Sequence, residues 1–159
     1  MKAIFASDLA GGFGYKGRLP WARVQEDMKF FMNKTSNHII VMGRNTWNSL
    51  PQLPYRIPVV VSSIEIPEAH YLSPSTYIKD LLALEKLNHK KEIFLIGGTA
   101  LLTVEALQAC EEIFHTTIKT TNRVDVNLPE EVLDYLKTLD AEVLLDTPNC
   151  TIRRHFAKL

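Results

Sequence analysis

Four short runs of almost unbroken apolar residues, each closed by turn chemistry, restrict this chain more than any other feature. They are AIFAS (3–7), HIIVMG (38–43), IPVVVSS (57–63) and EIFLIGG (92–98). A strand with one wet face alternates apolar and polar residues, whereas a strand covered on both faces does not. The runs therefore predict a mostly parallel sheet inside a layered α/β fold. Helical patterns fall between or after them, near 24–34, 45–50, 75–87 and 99–109, the third opened by Ser75 behind Pro74.

The last third changes character. EEIFHTTIK (111–119), a stretch around EVLLDT (142–147) and TIRRHFAKL (151–159) read as strands, with no clear helix between the final two. A terminal antiparallel hairpin closing the sheet edge is expected. VDVNLPEEVLDYLKTL (124–139) reads as a turn and an acidic-fronted segment without a firm place. With no repeat, low-complexity tract or linker, the 159 residues, 46% of them hydrophobic, are expected to form one domain over 1–159.

Eighteen basic residues against eighteen acidic ones leave no charge to draw the chain to nucleic acid or an anionic membrane. A small molecule is the expected partner. MKAIFASDLAGG is too short an apolar start for a secretory signal, and no run reaches the roughly 20 apolar residues of a membrane span. A soluble, cytoplasmic protein is expected. Cys110 and Cys150 sit in neither CxxC nor Cys/His metal spacing, so they read as ordinary thiols and no metal site is expected.

GRLPWARVQEDMKFFMNKT (17–35) places Glu26 and Asp27 side by side at the start of a helix. Val24, Met28, Phe31 and Thr35 share its apolar stripe, with Met32 on the shoulder. On that wheel Asp27 lies about 40° from Phe31, while Glu26 lies about 140° away and is expected to face solvent. A carboxylate on an apolar edge loses hydration and gains proton affinity unless cations compensate, and no Lys or Arg shares that face. Such an acid suits an amidine-like ligand or proton delivery into a dry pocket. The plain alternative is an acid that complements the helix dipole.

Three loops can receive phosphate. Gly43 ends a buried strand and is followed by Arg44, Asn45 and Thr46 at a helix mouth, a clamp of guanidinium, hydroxyl and free N–H groups, or simply an exposed Arg and a capping Thr. Ser62 and Ser63 close VVVSS where an NAD-selective site more often carries an acid; they favour NADPH, with Glu65 nearby as the contrary sign. Gly97-Gly98-Thr99 joins an apolar strand to a helical pattern, allowing close backbone approach to a ligand, or merely a tight turn. GGFGYKG (11–17) has no helix behind it and so fails the dinucleotide fingerprint; it reads as a mobile flap able to close over a cofactor.

Taken together, LPW with Asp27 six residues after Trp21 and then Phe31, MGRNTWNSLP (42–51), LPYR (53–56), VVVSS, IGGTALL and DVNLP (125–129) resemble dihydrofolate reductase over essentially the whole chain. The longer Trp21–Asp27 spacing, with Arg23 and Val24 inside it, resembles the bacteriophage branch of that family, which would put the protein in a host cytoplasm. The resemblance implies an eight-stranded, three-layer α/β fold with a mostly parallel sheet and an antiparallel C-terminal strand. It also implies reduction of 7,8-dihydrofolate to tetrahydrofolate by NADPH, in support of one-carbon metabolism and thymidylate synthesis, by a monomer open to antifolates.

By that resemblance Asp27 is the pterin-pocket acid that assists protonation, Trp21 positions a water and Thr116 orients Asp27. Ile4, Phe5, Ala6, Leu19, Phe31, Leu50 and Ile96 form the apolar walls for substrate, and Arg56 meets the carboxylate of its glutamate tail. Ala6 also meets the cofactor, with Gly12, Phe13, Gly14, Tyr15, Lys16, Gly17 and Arg18 of the flap. Gly43, Arg44, Asn45, Thr46, Ser62 and Ser63 follow, then Gly97, Gly98, Thr99, Ala100, Leu101 and Leu102. Gly97 and Gly98 are expected to share a cis peptide.

Ala100, Leu102, Met32 and Gln52 depart from residues that relatives carry there, which bears on affinity for cofactor and substrate tail. Two other readings stay open: the related riboflavin-pathway reductase, and a non-catalytic NADPH-binding protein of the same fold.

Overall fold

A computed structural model describes residues 1–88 and 90–157. The chain runs β1 (Lys2–Asp8), β2 (Gly12–Gly14), α1 (Gln25–Thr35), β3 (Ile39–Gly43), α2 (Arg44–Ser49), β4 (Ile57–Val61), β5 (His70–Leu72) and α3 (Tyr77–Leu87). It continues through β6 (Ile93–Gly97), α4 (Val104–Gln108), β7 (Glu112–Ile118), β8 (Val126–Asn127), α5 (Glu130–Lys137), β9 (Ala141–Asp146) and β10 (Cys150–Phe156). Eight strands form one sheet in the order β5-β4-β3-β6-β1-β7-β10-β9, and β2 pairs with β8 in a small second sheet.

The four apolar runs become β1, β3, β4 and β6, adjacent and parallel at the centre. Parallel β7, then β10 antiparallel to it and β9 antiparallel to β10, extend the sheet on one side. Both faces are covered, which is why the runs lack alternation. Ala3, Phe5, Val41, Val59 and Leu95 face one way and pack with Tyr77 and Leu81 of α3, Ala106 and Leu107 of α4, and Val132 and Leu136 of α5. Ile4, Ile40, Met42, Val60, Phe94 and Phe114 face the other, toward α1 and α2. None of the helices among the described residues is long and apolar enough to cross a membrane.

Several local expectations are corrected. The helix expected over 99–109 is broken: Leu101 and Leu102 N–H groups both return to the Gly98 carbonyl in a single turn, and α4 begins only at Val104. Thr103 is extended there, and its hydroxyl accepts the Ala106 N–H at 3.1 Å, so a new cap starts a new helix. Thr76, not Ser75, precedes α3. The acidic-fronted segment becomes α5, with Glu130 and Glu131 in its first turn. Lys158 and Leu159 of the expected last strand lie outside the described residues.

The Gly11–Gly17 stretch, expected as a flap, carries pairing contacts to a distant segment. Gly12 and Gly14 pair with Asn127 and Val126, the Leu128 N–H reaches Gly11, and the Asp125 carboxylate accepts the Lys16 N–H at 2.9 Å. Pairing partners more than a hundred residues away decide this, which is beyond local propensity.

Candidate active site

The C-terminal ends of the parallel strands deliver the candidate residues to one edge of the sheet, where open α/β sheets bind ligands. Asp27 arrives from the first turn of α1 and Thr116 from β7. Asp27 is half-buried, and the Thr116 hydroxyl donates to its carboxylate. Burial raises its proton affinity above the ordinary aspartate value; the Thr116 bond opposes this and the adjacent Glu26 charge adds to it.

Around this acid the structure builds an apolar wall. Ile4, Phe94 and Phe114 cluster with Phe30, Phe31 and Ile96, and Ile96 also joins Leu50 and Trp47 in the next cluster. Trp21 is buried with Ile118, Cys150 and Ile152, beside Ala6, Val24 and Phe30. The inward face of α1 is thus centred nearer Asp27, Phe30 and Phe31 than the expected Met28 stripe. Phe30 sits 5.7 Å from the Phe114 ring, and Lys34 lays its ammonium 4.6 Å over that ring.

Two expected wall residues stand elsewhere. Phe5 points to the opposite face of β1, into the core, 5.2 Å from the His115 ring, because the strand pleat sends neighbours of Ile4 and Ala6 the other way. Leu19 is 55% exposed on the loop before Trp21.

Glu26 also departs from expectation. Its carboxylate accepts the Thr147 hydroxyl at 2.7 Å and the Asn149 amide at 3.1 Å, so it is fastened to the β9–β10 turn rather than free in solvent. These bonds hold its proton affinity below the ordinary glutamate value.

Arg56 is locked in place. Its Nε donates to Thr35 Oγ1 at 3.1 Å, one terminal nitrogen to the Pro54 carbonyl and the other to the Met32 carbonyl, both at 2.6 Å. Of the five guanidinium N–H groups, one on each terminal nitrogen has no oxygen partner in these bonds, and Met32 Sδ lies 3.6 Å from the second nitrogen. The charge and the N–H left on the first terminal nitrogen suit a carboxylate.

The loops expected to take phosphate converge. Gly97 and Gly98 share a cis peptide, and a Cβ on Gly98 would lie 3.5 Å from Thr46 Oγ1. A Cβ on Gly43 would lie 3.9 Å from the Gly98 nitrogen. Among the described residues, the Thr99 and Ala100 N–H groups make no hydrogen bond within the chain, while Arg44, Asn45, Ser63 and Ala100 are exposed. Ser62 is buried, and its hydroxyl accepts the Ile64 N–H at 3.1 Å. The Leu101 and Leu102 side chains belong to the core. Gly97 has φ +135°, and a Cβ there would meet the Phe13 ring at 3.3 Å, so Phe13 lies across this junction.

Two features of the site rim escaped the sequence. Asp8, only 3% exposed, accepts the Ala10 and Gly12 N–H groups at 2.9 and 2.7 Å and both the backbone and side-chain N–H of Asn122 at 3.2 Å. Despite its burial, these donors hold its proton affinity below the usual value. The signal was an acid three residues ahead of Gly11-Gly12, able to make an Asx turn with Ala10. The approach of Arg123, 5.7 Å from the Tyr15 ring centre where Lys16 also lies at 5.3 Å, was equally hidden, since Arg123 comes from a distant loop.

Residues 1–148 match the family model described as dihydrofolate reductase. The chain belongs to the dihydrofolate reductase family. Dihydrofolate reductase type A10 of Escherichia coli is 37% identical over 141 residues, covering 84% of this chain and 74% of its own. Dihydrofolate reductase type 9 of the same species is 33% identical over 159 residues, covering 95% and 88%. Among solved structures, a dihydrofolate reductase from Enterococcus faecalis, complexed with NADP(H) and RAB-propyl, superposes with a TM-score of 0.77 at 25% identity, over 98% of this chain and 95% of that one. The dihydrofolate reductase match thus extends over the Asp27 wall, Arg56 and the converging glycine loops alike.

Proposed function

We propose that Asp27 is the acid of a dihydrofolate-reducing site, gripping the amidine-like edge of the pterin and assisting protonation of its ring nitrogen. The family is one of NADPH-dependent enzymes that reduce 7,8-dihydrofolate to 5,6,7,8-tetrahydrofolate, and the reading assigns that reaction to this chain. The observation that carries the assignment of Asp27 is a half-buried carboxyl, raised in proton affinity, bound to Thr116 beside an apolar wall that includes Ile4, Phe31 and Ile96. A flat ring laid on that wall meets one acid and little water.

The residues present fit NADPH. Gly98 lies in van der Waals reach of Thr46, which brings the two loops together, and the Thr99 and Ala100 N–H groups, Thr46 and Arg44 are available to phosphate oxygens. Bound there, the cofactor supplies the hydride. The chain supplies alignment, exclusion of water by Phe13 and the paired β2 segment, and the proton held at the Asp27 carboxyl. Arg56 presents its remaining N–H groups to the substrate's glutamate carboxylate, and Trp21 positions a water near Asp27. The reading includes a cytoplasmic monomer that feeds one-carbon metabolism and binds antifolates.

The test is the loss of NADPH absorbance with and without dihydrofolate, repeated for Asp27→Asn across pH and with an antifolate present. The variant is expected to keep the fold and lose far more turnover at neutral than at acidic pH, where substrate arrives already protonated. A loss equal at every pH would remove the protonation role. NADPH binding with no dihydrofolate-dependent consumption would point to a non-catalytic protein.

A further inference from the structure

The turn of α1 that carries Asp27 has no cap of its own. Val24 occupies the N-cap position in extended conformation, and its side chain makes no cap bond. The Met28 N–H returns to the Val24 carbonyl, but the Val24 side chain caps none of the N–H groups ahead of it. What fastens this turn is Glu26, through Thr147 and Asn149. The β9–β10 turn it grips is itself closed, since Thr147 Oγ1 accepts the Asn149 and Cys150 N–H groups at 3.1 and 3.2 Å. Cys150 in turn is buried in the cluster that holds Trp21.

We propose that Glu26 is a positioning residue for Asp27, tying the uncapped first turn of α1 to the C-terminal hairpin and standing as a fixed negative charge beside the buried carboxyl. The inference rests on the reading of Asp27 as the pocket acid. The two acids are consecutive, so the charge travels with Asp27 whatever the helix does. Because Thr147 and Asn149 favour its ionised form, Glu26 stays charged while Asp27 takes up a proton.

The surrounding groups leave this pairing intact. On α1, Lys29 acts on Glu26. From β10 the Cys150 thiol is pushed up by burial and by both acids. Lys119, at the end of β7, is engaged by Asp146 of β9 at 2.6 Å. Facing Asp27 directly are Thr116, which carries no charge, and Glu26.

Two variants separate the charge from the tether. Glu26→Gln keeps an oxygen for Thr147 and Asn149 but removes the charge. It is expected to leave the melting temperature unchanged, move the pH midpoint of single-turnover hydride transfer downward, and lower the rate at pH 8 about threefold. Thr147→Val combined with Asn149→Ala keeps the charge and cuts the tether. Here the midpoint is expected to stay while the acid-side plateau falls about fivefold, from looser placement of Asp27. A Glu26→Gln profile that superposes on the parent, or a double variant with a full plateau, overturns the proposal.

Asp27→Asn run alongside keeps the two levels apart. If Asp27→Asn confines turnover to acid pH and Glu26→Gln leaves the parent profile unmoved, only the role of Glu26 falls. If Asp27→Asn retains the parent profile, the assignment of Asp27 falls instead.

Discussion

The Thr116 hydroxyl on β7 donates to the Asp27 carboxylate on α1, joining the first turn of the helix to the sheet. Burial favours the protonated acid and this bond favours the ionised one, so the two oppose each other. Thr116→Val keeps the shape and removes the donor. Its rate profile should move to higher pH, opposite in sign to Glu26→Gln, with the acid-side plateau reduced roughly fivefold as Asp27 loses orientation. Single-turnover rates across pH decide this; a midpoint that stays or falls would show that the hydroxyl does not act on the carboxylate.

The same opposition predicts a stability cost. An aspartate whose folded-state pKa is raised stabilises the fold less once pH passes the unfolded value, and the full penalty is present above the folded value. Asp27→Asn should therefore melt higher than the parent at pH 7, by about 3 °C. The gain should vanish below the ordinary aspartate pKa of about 4, where both states are neutral. Calorimetry at pH 7 and at acid pH measures both points. A variant that melts lower at pH 7 would mean that the charge is already compensated.

Arg56 spends its Nε and one N–H from each terminal nitrogen on Thr35, Pro54 and Met32. A lysine cannot hold those three contacts and still present an N–H to the substrate's carboxylate. Arg56→Lys should raise the KM for dihydrofolate roughly tenfold or more and leave the KM for NADPH near its parent value. An equal rise for both would place Arg56 in general scaffolding rather than at the substrate tail.

Much of this site was legible because helix phase and strand composition are local. The 40° and 140° offsets separated Asp27 from Glu26 before any fold was known, to within about a residue's width of arc. β1, β3, β4 and β6 were legible because strands buried on both faces announce themselves as apolar runs. Phe5 was misplaced although the pleat already excluded it: with Ile4 and Ala6 facing the cleft, Phe5 had to face away. The short β5 and the β2–β8 pair were not legible, since two or three residues carry no periodicity. Nor were the bonds from Glu26 to Thr147 and from Asp8 to Asn122, which depend on segments brought together only by the completed sheet.

Gly12 is confined by its neighbours in a way Gly17 is not. A Cβ on Gly12 would fall 2.5 Å from Asp8 Oδ2 and 2.6 Å from Val124 Cγ1, whereas Gly17, at φ +76°, has nothing within 4 Å. Gly12→Ala must therefore displace the carboxylate that holds Ala10, Gly12 and Asn122. It should raise the KM for NADPH several-fold and lower the melting temperature. Gly17→Ala should cost only backbone strain, on the order of 1 kcal/mol, with both KM values kept. Equal effects from the two would separate cofactor binding from the Asp8 contacts.

His115 gives the fold an acid limit. It is buried on β7, its Nε2 2.8 Å from Ser7 Oγ, and burial lowers its pKa to about 3, with His155 and Arg153 adding to the effect. His155, also buried, is lowered in the same direction. In the unfolded chain a histidine takes a proton near pH 6.5, while folded His115 does not until about 3. Stability should thus fall as pH drops from about 6.5 toward 3, by at most about 1.4 kcal/mol per pH unit for this one group. Asp8, held low, adds its own loss only at still more acid pH, below the ordinary aspartate range. Replacing the pair together, Ser7→Ala with His115→Leu, removes the titrating ring without stranding its partner. Urea unfolding from pH 7 to pH 4.5 should show a shallower decline in that variant, by about one proton's worth of slope. Parallel declines in parent and variant would assign the acid limit to other groups.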